Sequence, residues 1–267
     1  MNDKYVHGYS DKESVRLKDQ SVTLGDLLHH DTIYPAGSTV LEAGCGIGAQ
    51  TCILAGNNPD VHITSVDISP ESLKAAKKAV SSAGITNVTF SHEDIFDLPF
   101  DKDSFDHIFI CFVLEHLSEP EKALLKLKDL LKPDGTITVI EGDHGSAYYH
   151  PASEHAQRNI QCLIDIQAHM GGDSLIGRRL YPLLVDVGLR DVSVSPRFVY
   201  ADASRPGMVE GFTRNTFNAM VEGVKDQAIK LGLIDKQAWD KGVRDLYRTA
   251  EDDGTFCYTF FKGVAVK

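Results

Sequence analysis

Gly44, Gly46 and Gly48 alternate with Cys45 and Ile47, and the carboxylate of Glu42 stands just ahead of them. Glycines in this pattern let a chain turn sharply and bring its backbone N–H groups against a ligand, since no Cβ intervenes. Asp67 lies nineteen residues beyond Gly48 and is followed by Ile68. A carboxylate at that distance can accept the hydrogen bonds of two ribose hydroxyls. Taken alone, the glycines fit two kinds of nucleotide ligand, because Gly44-x-Gly46-x-x-Ala49 also loosely matches the dinucleotide fingerprint. A plain tight turn and a strand-end cap are the bland alternatives.

Later positions narrow the choice. Asp94 and Ile95 pair a carboxylate for an exocyclic amine with an aliphatic side chain for the face of a purine, a pair that a nicotinamide site does not require. The run Cys111-Phe112-Val113-Leu114-Glu115-His116-Leu117 ends an apolar segment, where its carbonyl groups and Phe112 can face an ammonium group. His116, Asp143 and His144 are candidates for proton transfer if the chemistry needs a base. Each taken alone reads more readily as a structural or pocket-lining residue. His144, His150 and His155 match no compact metal-ligand spacing, so no metal is expected. Tyr258 and Lys262 echo a dehydrogenase pair, but on a strand they lie about 13 Å apart, and the pattern is read as coincidence.

These residues need a scaffold, and the chain supplies one in repeating strand and helix signals. Ser10 to Glu13 has the spacing of a capping box, and Leu17, Leu24, Leu27 and Leu28 continue a helical stripe up to the break at 34–37. His29-His30-Asp31 reads as the polar end of that helix. Strands are expected at 39–43, 61–66, 87–91, 104–112 and 136–141. Ser69-Pro70 starts one intervening helix and Ser118 to Glu121, as a second capping box, another; that helix runs to 132–135. Beyond Gly142 an irregular stretch leads to helices at about 154–169 and 177–187, a strand at 191–200, one long helical stretch from about 206 to 250, and a last strand at 255–266. Alternation of this kind implies an α/β fold with a doubly wound, mostly parallel sheet of seven strands and an antiparallel C-terminal edge pair. Residues 1–37 are expected to form an N-terminal helical cap on a domain at 38–267, with a helical lid inserted at about 201–254.

Composition bounds the partners. The chain has 267 residues, 42% of them apolar and 24% charged, which suits one large core. Twenty-seven basic against thirty-eight acidic residues give a net charge of −11. That balance disfavours a phosphate backbone and favours a small-molecule acceptor, so no nucleic acid is expected. The five cysteines are scattered without a Cys-x-x-Cys pair, no apolar run is long enough to span a bilayer, and the first residues lack a signal-peptide pattern. A cytoplasmic protein, monomer or homodimer, is the expectation.

Assembled in order, the segments 40–48, 66–69, 94–95, 114–117 and 131–136 resemble those of the class I S-adenosylmethionine-dependent methyltransferases, in particular the methyltransferase type 11 group that includes the ubiquinone and menaquinone biosynthesis enzymes. The resemblance spans about two-fifths of the chain. It implies a Rossmann-like fold, S-adenosyl-L-methionine as methyl donor and S-adenosyl-L-homocysteine as product. It also implies that Gly44, Gly46 and the neighbouring backbone hold the methionine moiety, Asp67 with Ile68 the ribose, and Asp94 with Ile95 the adenine. Glu42, Gln50 and Phe112 are added to that set, and Tyr9, Arg16 and Gln20 of the first helix could close over the cofactor. The acceptor is not implied: the family methylates several kinds of atom, and residues 142–267 carry no assignable signature. The alternatives are an RNA or protein methyltransferase, a non-catalytic cofactor-binding module, and a nicotinamide-dependent oxidoreductase that rests on the shared glycines.

Overall fold

The computed structural model describes residues 11–267. Helix α1 spans Asp11–His29, and the sheet then begins with β1 (Thr39–Ala43), whose last four residues are all buried. Both faces of such a strand are covered, which is why it reads as a continuous apolar run rather than an alternating one. The glycine turn leads into α2 (Ala49–Asn57), followed by β2 (His62–Asp67) and α3 (Pro70–Ser82). Ser69 caps α3 by accepting the Ser72 N–H at 3.1 Å, and Pro70 takes the first turn, where its missing N–H leaves no partner unmet. Gly84, at φ +70°, ends that stretch in the left-handed region.

Strands β3 (Val88–His92) and β4 (Phe105–Cys111) follow, then a 3₁₀ turn at Leu114–His116 and helix α4 (Pro120–Leu130). The expected capping box at 118–121 does not form. Glu119 holds the N-cap position and its side chain makes no cap bond, because Pro120 sets the first turn one residue later than that motif requires.

Strand β5 runs from Leu131 to His150, far past the expected end near residue 141. Its extension is held by the final strand β7 (Thr255–Val266): Tyr148 pairs with Cys257 and His150 with Thr255. Gly142 looks loop-like locally, yet it pairs with Phe260 more than a hundred residues away, and the ladder is interrupted only between Asp143 and Tyr148. Helices α5 (Glu154–His169) and α6 (Leu180–Asp186), a 3₁₀ turn at Ile176–Arg179 and strand β6 (Arg190–Ala201) come next.

The stretch expected as one long helix is broken into pieces. It comprises a single turn α7 (Pro206–Met208), a π-helix at Val209–Asn218, and helices α8 (Ala219–Gly223), α9 (Lys225–Lys230) and α10 (Lys236–Arg248). Gly232, with φ +69°, breaks the winding after α9, and Asp235 starts α10 anew by accepting the Ala238 N–H at 2.9 Å.

The sheet order is β3-β2-β1-β4-β5-β7-β6. The first five strands are parallel, and β7 runs antiparallel between β5 and β6. This is the Rossmann-like doubly wound sheet, and its strand order reverses between β1 and β4. Ligands in such sheets bind beyond the carboxyl ends of the strands at that reversal. One face of the core joins Leu24, Leu54, Phe109, Ile160, Phe217 and Trp239; the other joins Leu41, Ile108, Leu127 and Leu184. Among the described residues no helix is long and apolar enough to cross a membrane.

Candidate functional site

The glycine turn sits at the reversal point, and each of its glycines does something different. Gly44 (φ +79°) donates to the Val66 carbonyl at 2.9 Å, and a Cβ there would come within 2.5 Å of Val113. Gly48 (φ +80°) lets α2 approach the Ala76 backbone, which an added Cβ would meet at 2.8 Å. Gly46 (φ +52°) has nothing within 4 Å of the place its Cβ would occupy. Two glycines are therefore required by packing, and the third leaves open space beside its backbone.

Asp67 fixes the shape of that space. Its Oδ2 accepts the Gly46 N–H at 2.7 Å and its Oδ1 accepts the Ser69 N–H at 2.9 Å. Each oxygen keeps a further lone pair, as ribose recognition requires. Glu42 lies beneath, 2% exposed, with Ser65 donating to its Oε2 at 2.6 Å. Burial, reinforced by the Asp67 charge, pushes its carboxyl up to about 7. Burial also raises the Cys45 thiol within the turn, with Glu42 and Asp67 adding to the effect, so this cysteine stays protonated.

Farther along the edge, Ile68 is exposed and its carbonyl lies 2.8 Å from His92 Nε2. Asp94 is exposed, and its Oδ1 accepts the Phe96 N–H at 2.9 Å in a local turn. Ile95 is partly buried against Val66 and its neighbours. Ile68, Asp94 and Ile95 thus follow β2 and β3 on the same edge as Asp67.

Phe112 ends β4 with φ +59°, uncommon for a residue with a side chain, and donates to the Ile140 carbonyl at 2.9 Å. Its ring lies 5.3 Å from that of Phe260. The next two amides, Val113 and Leu114, both donate to Glu141 Oε1, at 3.0 and 2.7 Å. Glu141 is fully buried, and burial together with Glu115 raises its carboxyl well above the usual range. It is the clamp that turns the chain after β4, and its only trace in the sequence is an acidic residue closing an apolar strand.

The first helix carries two of the expected residues. Arg16 and Gln20 are both buried and bonded to each other, Nη1 to Oε1 at 3.1 Å. Tyr9 and Ser10 lie outside the described residues. Gln50 is tied to the other end of α1 through its Oε1, 2.7 Å from His29 Nε2. His29 is consequently no solvated helix end: it is fully buried, and burial lowers its imidazole to about 4 despite the Gln50 bond. Asp31 is engaged as well, by Lys262 Nζ at 2.6 Å and by Arg197.

The candidates for proton transfer lie just beyond β4, at His116, and within β5, at Asp143 and His144. Asp143 is gripped in two-pronged fashion by Arg178, at 2.7 Å on each oxygen. His116 is 3.6 Å from Glu115 Oε1. Gln167 Nε2 donates to both the carbonyl and the carboxylate of Glu115, at 3.0 and 3.3 Å. His144 is buried, with Nδ1 2.8 Å from the Tyr258 hydroxyl. Glu141 and Arg178 were not singled out by the sequence, and Tyr258 and Glu115 stood there only in a chance pair and in the 111–117 run, because each acts through a partner distant along the chain. An open cavity of about 1170 Å³ lies elsewhere, between α1, α2 and α3, and meets the glycine turn only around Ile47 and Gly48.

This arrangement fits a nucleoside-bearing methyl donor: backbone facing open space at Gly46, a carboxylate with free lone pairs at Asp67, and acidic and aliphatic side chains farther along. Comparison with known proteins agrees. A family model described as a methyltransferase domain matches residues 35–188. The demethylmenaquinone methyltransferase of Clavibacter sepedonicus is 38% identical over 106 residues, which cover 40% of this chain and 42% of that protein. The chain thus spans less than half the length of that curated relative. Among solved structures, phosphoethanolamine N-methyltransferase 2 of Haemonchus contortus, held with phosphomonomethylethanolamine and S-adenosylhomocysteine, superposes with a TM-score of 0.57 at 19% identity, over 92% of this chain and 52% of that one. The [4+2]-cyclase SpnF superposes with a TM-score of 0.56 at 22% identity, over 91% and 80%, so likeness of fold does not by itself decide the reaction. The family match covers more than half of the chain and coincides with the glycine turn, the Asp67 carboxylate and the strand reversal: the chain belongs to the class I S-adenosylmethionine-dependent methyltransferases.

Proposed function

We propose that this protein transfers the methyl group of S-adenosylmethionine to a small-molecule acceptor by in-line displacement, in the cytoplasm. The observation that carries the reading is the pairing of Gly46 and Asp67, in which one carboxylate shapes the turn and keeps lone pairs for a ribose. The net charge of −11 argues for a small acceptor over a nucleic acid. The donor supplies a sulfonium-activated methyl, and the protein's part is orientation and exclusion of water. Gly44 and Gly46 would hold the methionine moiety, Asp67 and Ile68 the ribose, and Asp94 with Ile95 the adenine. Phe112 would wall the reacting end, with Arg16 and Gln20 closing from α1. The segment at about 201–254 would cover the acceptor, as an insertion in a domain at 38–267 capped by residues 1–37.

Calorimetry tests the core of this reading. S-adenosylhomocysteine should bind and NAD should not, and Asp67→Ala should weaken the former by about 1.5–3 kcal/mol, the worth of charged hydrogen bonds. Binding of NAD alone would overturn the reading, and an unchanged affinity in the variant would move the ribose site away from Asp67.

A further inference from the structure

His144 differs from the other candidates for proton transfer in having one nitrogen fixed and the other unused. Both oxygens of Asp143 are held by Arg178, and Oδ1 also accepts the Gly145 N–H at 3.1 Å. His116 lies beside the Glu115 carboxylate. The His144 ring is 4% exposed and held through Nδ1 by Tyr258, while its Nε2 is buried with no hydrogen-bond partner. A buried polar atom left unmatched carries an uncompensated desolvation cost. A ligand that brings the missing bond would account for it.

The surroundings of the ring are apolar on one side and charged on the other. Phe217 of the π-helix stands edge-on at 6.1 Å, and Tyr258 itself packs among Phe212, Phe217 and Phe260. The charged and titratable groups that act on His144 are Glu115 and His116 from the 3₁₀ turn, Asp143 beside it, and Arg16 from α1. Burial outweighs them and lowers the imidazole below its ordinary range, so the ring is neutral at neutral pH. The Tyr258 phenol is driven the other way, chiefly by burial, and remains protonated. When Nδ1–H is donated to the Tyr258 oxygen, Nε2 carries the free lone pair.

Building on the methyl-transfer reading above, we propose that His144 Nε2 removes the proton of the methyl acceptor, with Tyr258 as its positioning residue. The acceptor class is therefore a protic nucleophile, an O–H or N–H, carried on an aromatic or apolar body that suits Phe217 and its neighbours. As the acceptor oxygen or nitrogen forms its bond to the methyl carbon, the sulfur–methyl bond breaks and its electron pair stays on sulfur. The acceptor's proton moves to Nε2. Positive charge passes from sulfonium to imidazolium, next to the Glu115 and Asp143 carboxylates, and the proton leaves to water once product departs.

The test is release of S-adenosylhomocysteine from S-adenosylmethionine with a fixed set of acceptors: catechol, 4-hydroxybenzoate and benzylamine as protic members, thioanisole and N,N-dimethylbenzylamine as aprotic ones. Methylation confined to protic members is expected. His144→Asn, whose amide can keep the Tyr258 bond, should lose about 100-fold or more in kcat. It should also lose the acidic limb of the kcat/KM profile while binding S-adenosylhomocysteine as the wild type does. Tyr258→Phe should keep that limb but shift it. Imidazole ¹⁵N resonances of the wild type should show His144 protonated at Nδ1, a readout independent of turnover and of variant folding. Retention of kcat within threefold in His144→Asn, methylation of aprotic members alone, or an Nε2-protonated ring would each overturn the assignment. Silence across the set with S-adenosylhomocysteine bound would overturn this assignment while sparing the cofactor site; failure to bind it would sink the methyl-transfer reading itself.

Discussion

The two ends of the binding edge are built from different materials. From β1 to β3 the contacts that shape the site are made by main chain: Gly44 against Val66, and Gly46 and Ser69 against one carboxylate. From β5 to β7 they are made by side chains brought from far apart, Tyr258 on His144, Arg178 on Asp143, Phe217 against both His144 and Tyr258. A backbone-built site needs particular residues only where Cβ atoms are forbidden or one carboxylate is indispensable. A side-chain-built site can be rewritten one residue at a time. A common donor and variable acceptors would produce this division of labour.

The largest effect that could break the contrast comes from Phe217→Ala. Removing a fully buried ring that touches Phe212, Phe256 and Tyr258 should cost about 3–5 kcal/mol of stability. Thermal unfolding should register this as a clear drop in Tm, while calorimetry finds the affinity for S-adenosylhomocysteine unchanged. A parallel loss of affinity would show that the two ends are one unit. Gly44→Ala should follow at about 2–4 kcal/mol, combining a left-handed backbone with a Cβ driven against Val113. Here affinity and stability should fall together, and a fall in stability alone would place the ligand away from this turn.

Glu42→Gln is the smallest and the most diagnostic, because its sign depends on pH. With its carboxyl raised to about 7 in the fold, against 4.5 when free, the native state holds the proton that the unfolded chain has released between those values. Stability from this group is therefore full below about 4.5 and declines as pH rises to about 7, beyond which it is flat. The glutamine variant lacks that slope. It should match the wild type in Tm near pH 5 and exceed it near pH 8, by a margin on the order of 2 kcal/mol.

The same contrast explains what could be read from the chain. Strands 39–43 and 255–266 and the start of α3 at Pro70 were legible, because apolar runs, Ser-Pro and glycine punctuation act within a few residues. The second half of β5 was not, since Tyr148 and His150 become strand only against Cys257 and Thr255. His29 does end α1, but its burial was not legible, because it is supplied by neighbours such as Phe109 and Gln50. Tyr258 was set beside Lys262 as a chance pair, and its actual partner, His144, lies 114 positions away. Local chemistry marks the glycine-turn end of this edge; the other end becomes visible only when the chain is folded.

The π-helix at 209–218 carries a consequence of its own. Phe212 and Phe217 are five residues apart, a separation that turns through about 140° net on an ordinary α-helix and would point the rings to different sides. The wider winding, in which the Thr216 hydroxyl also donates back to the Gly211 carbonyl at 2.7 Å, sets both rings against Tyr258. A single-codon deletion within this stretch would restore ordinary winding and swing one ring off the wall. Insertion and deletion, rather than replacement, would thus recut the aromatic packing beside His144 while leaving its own residue in place.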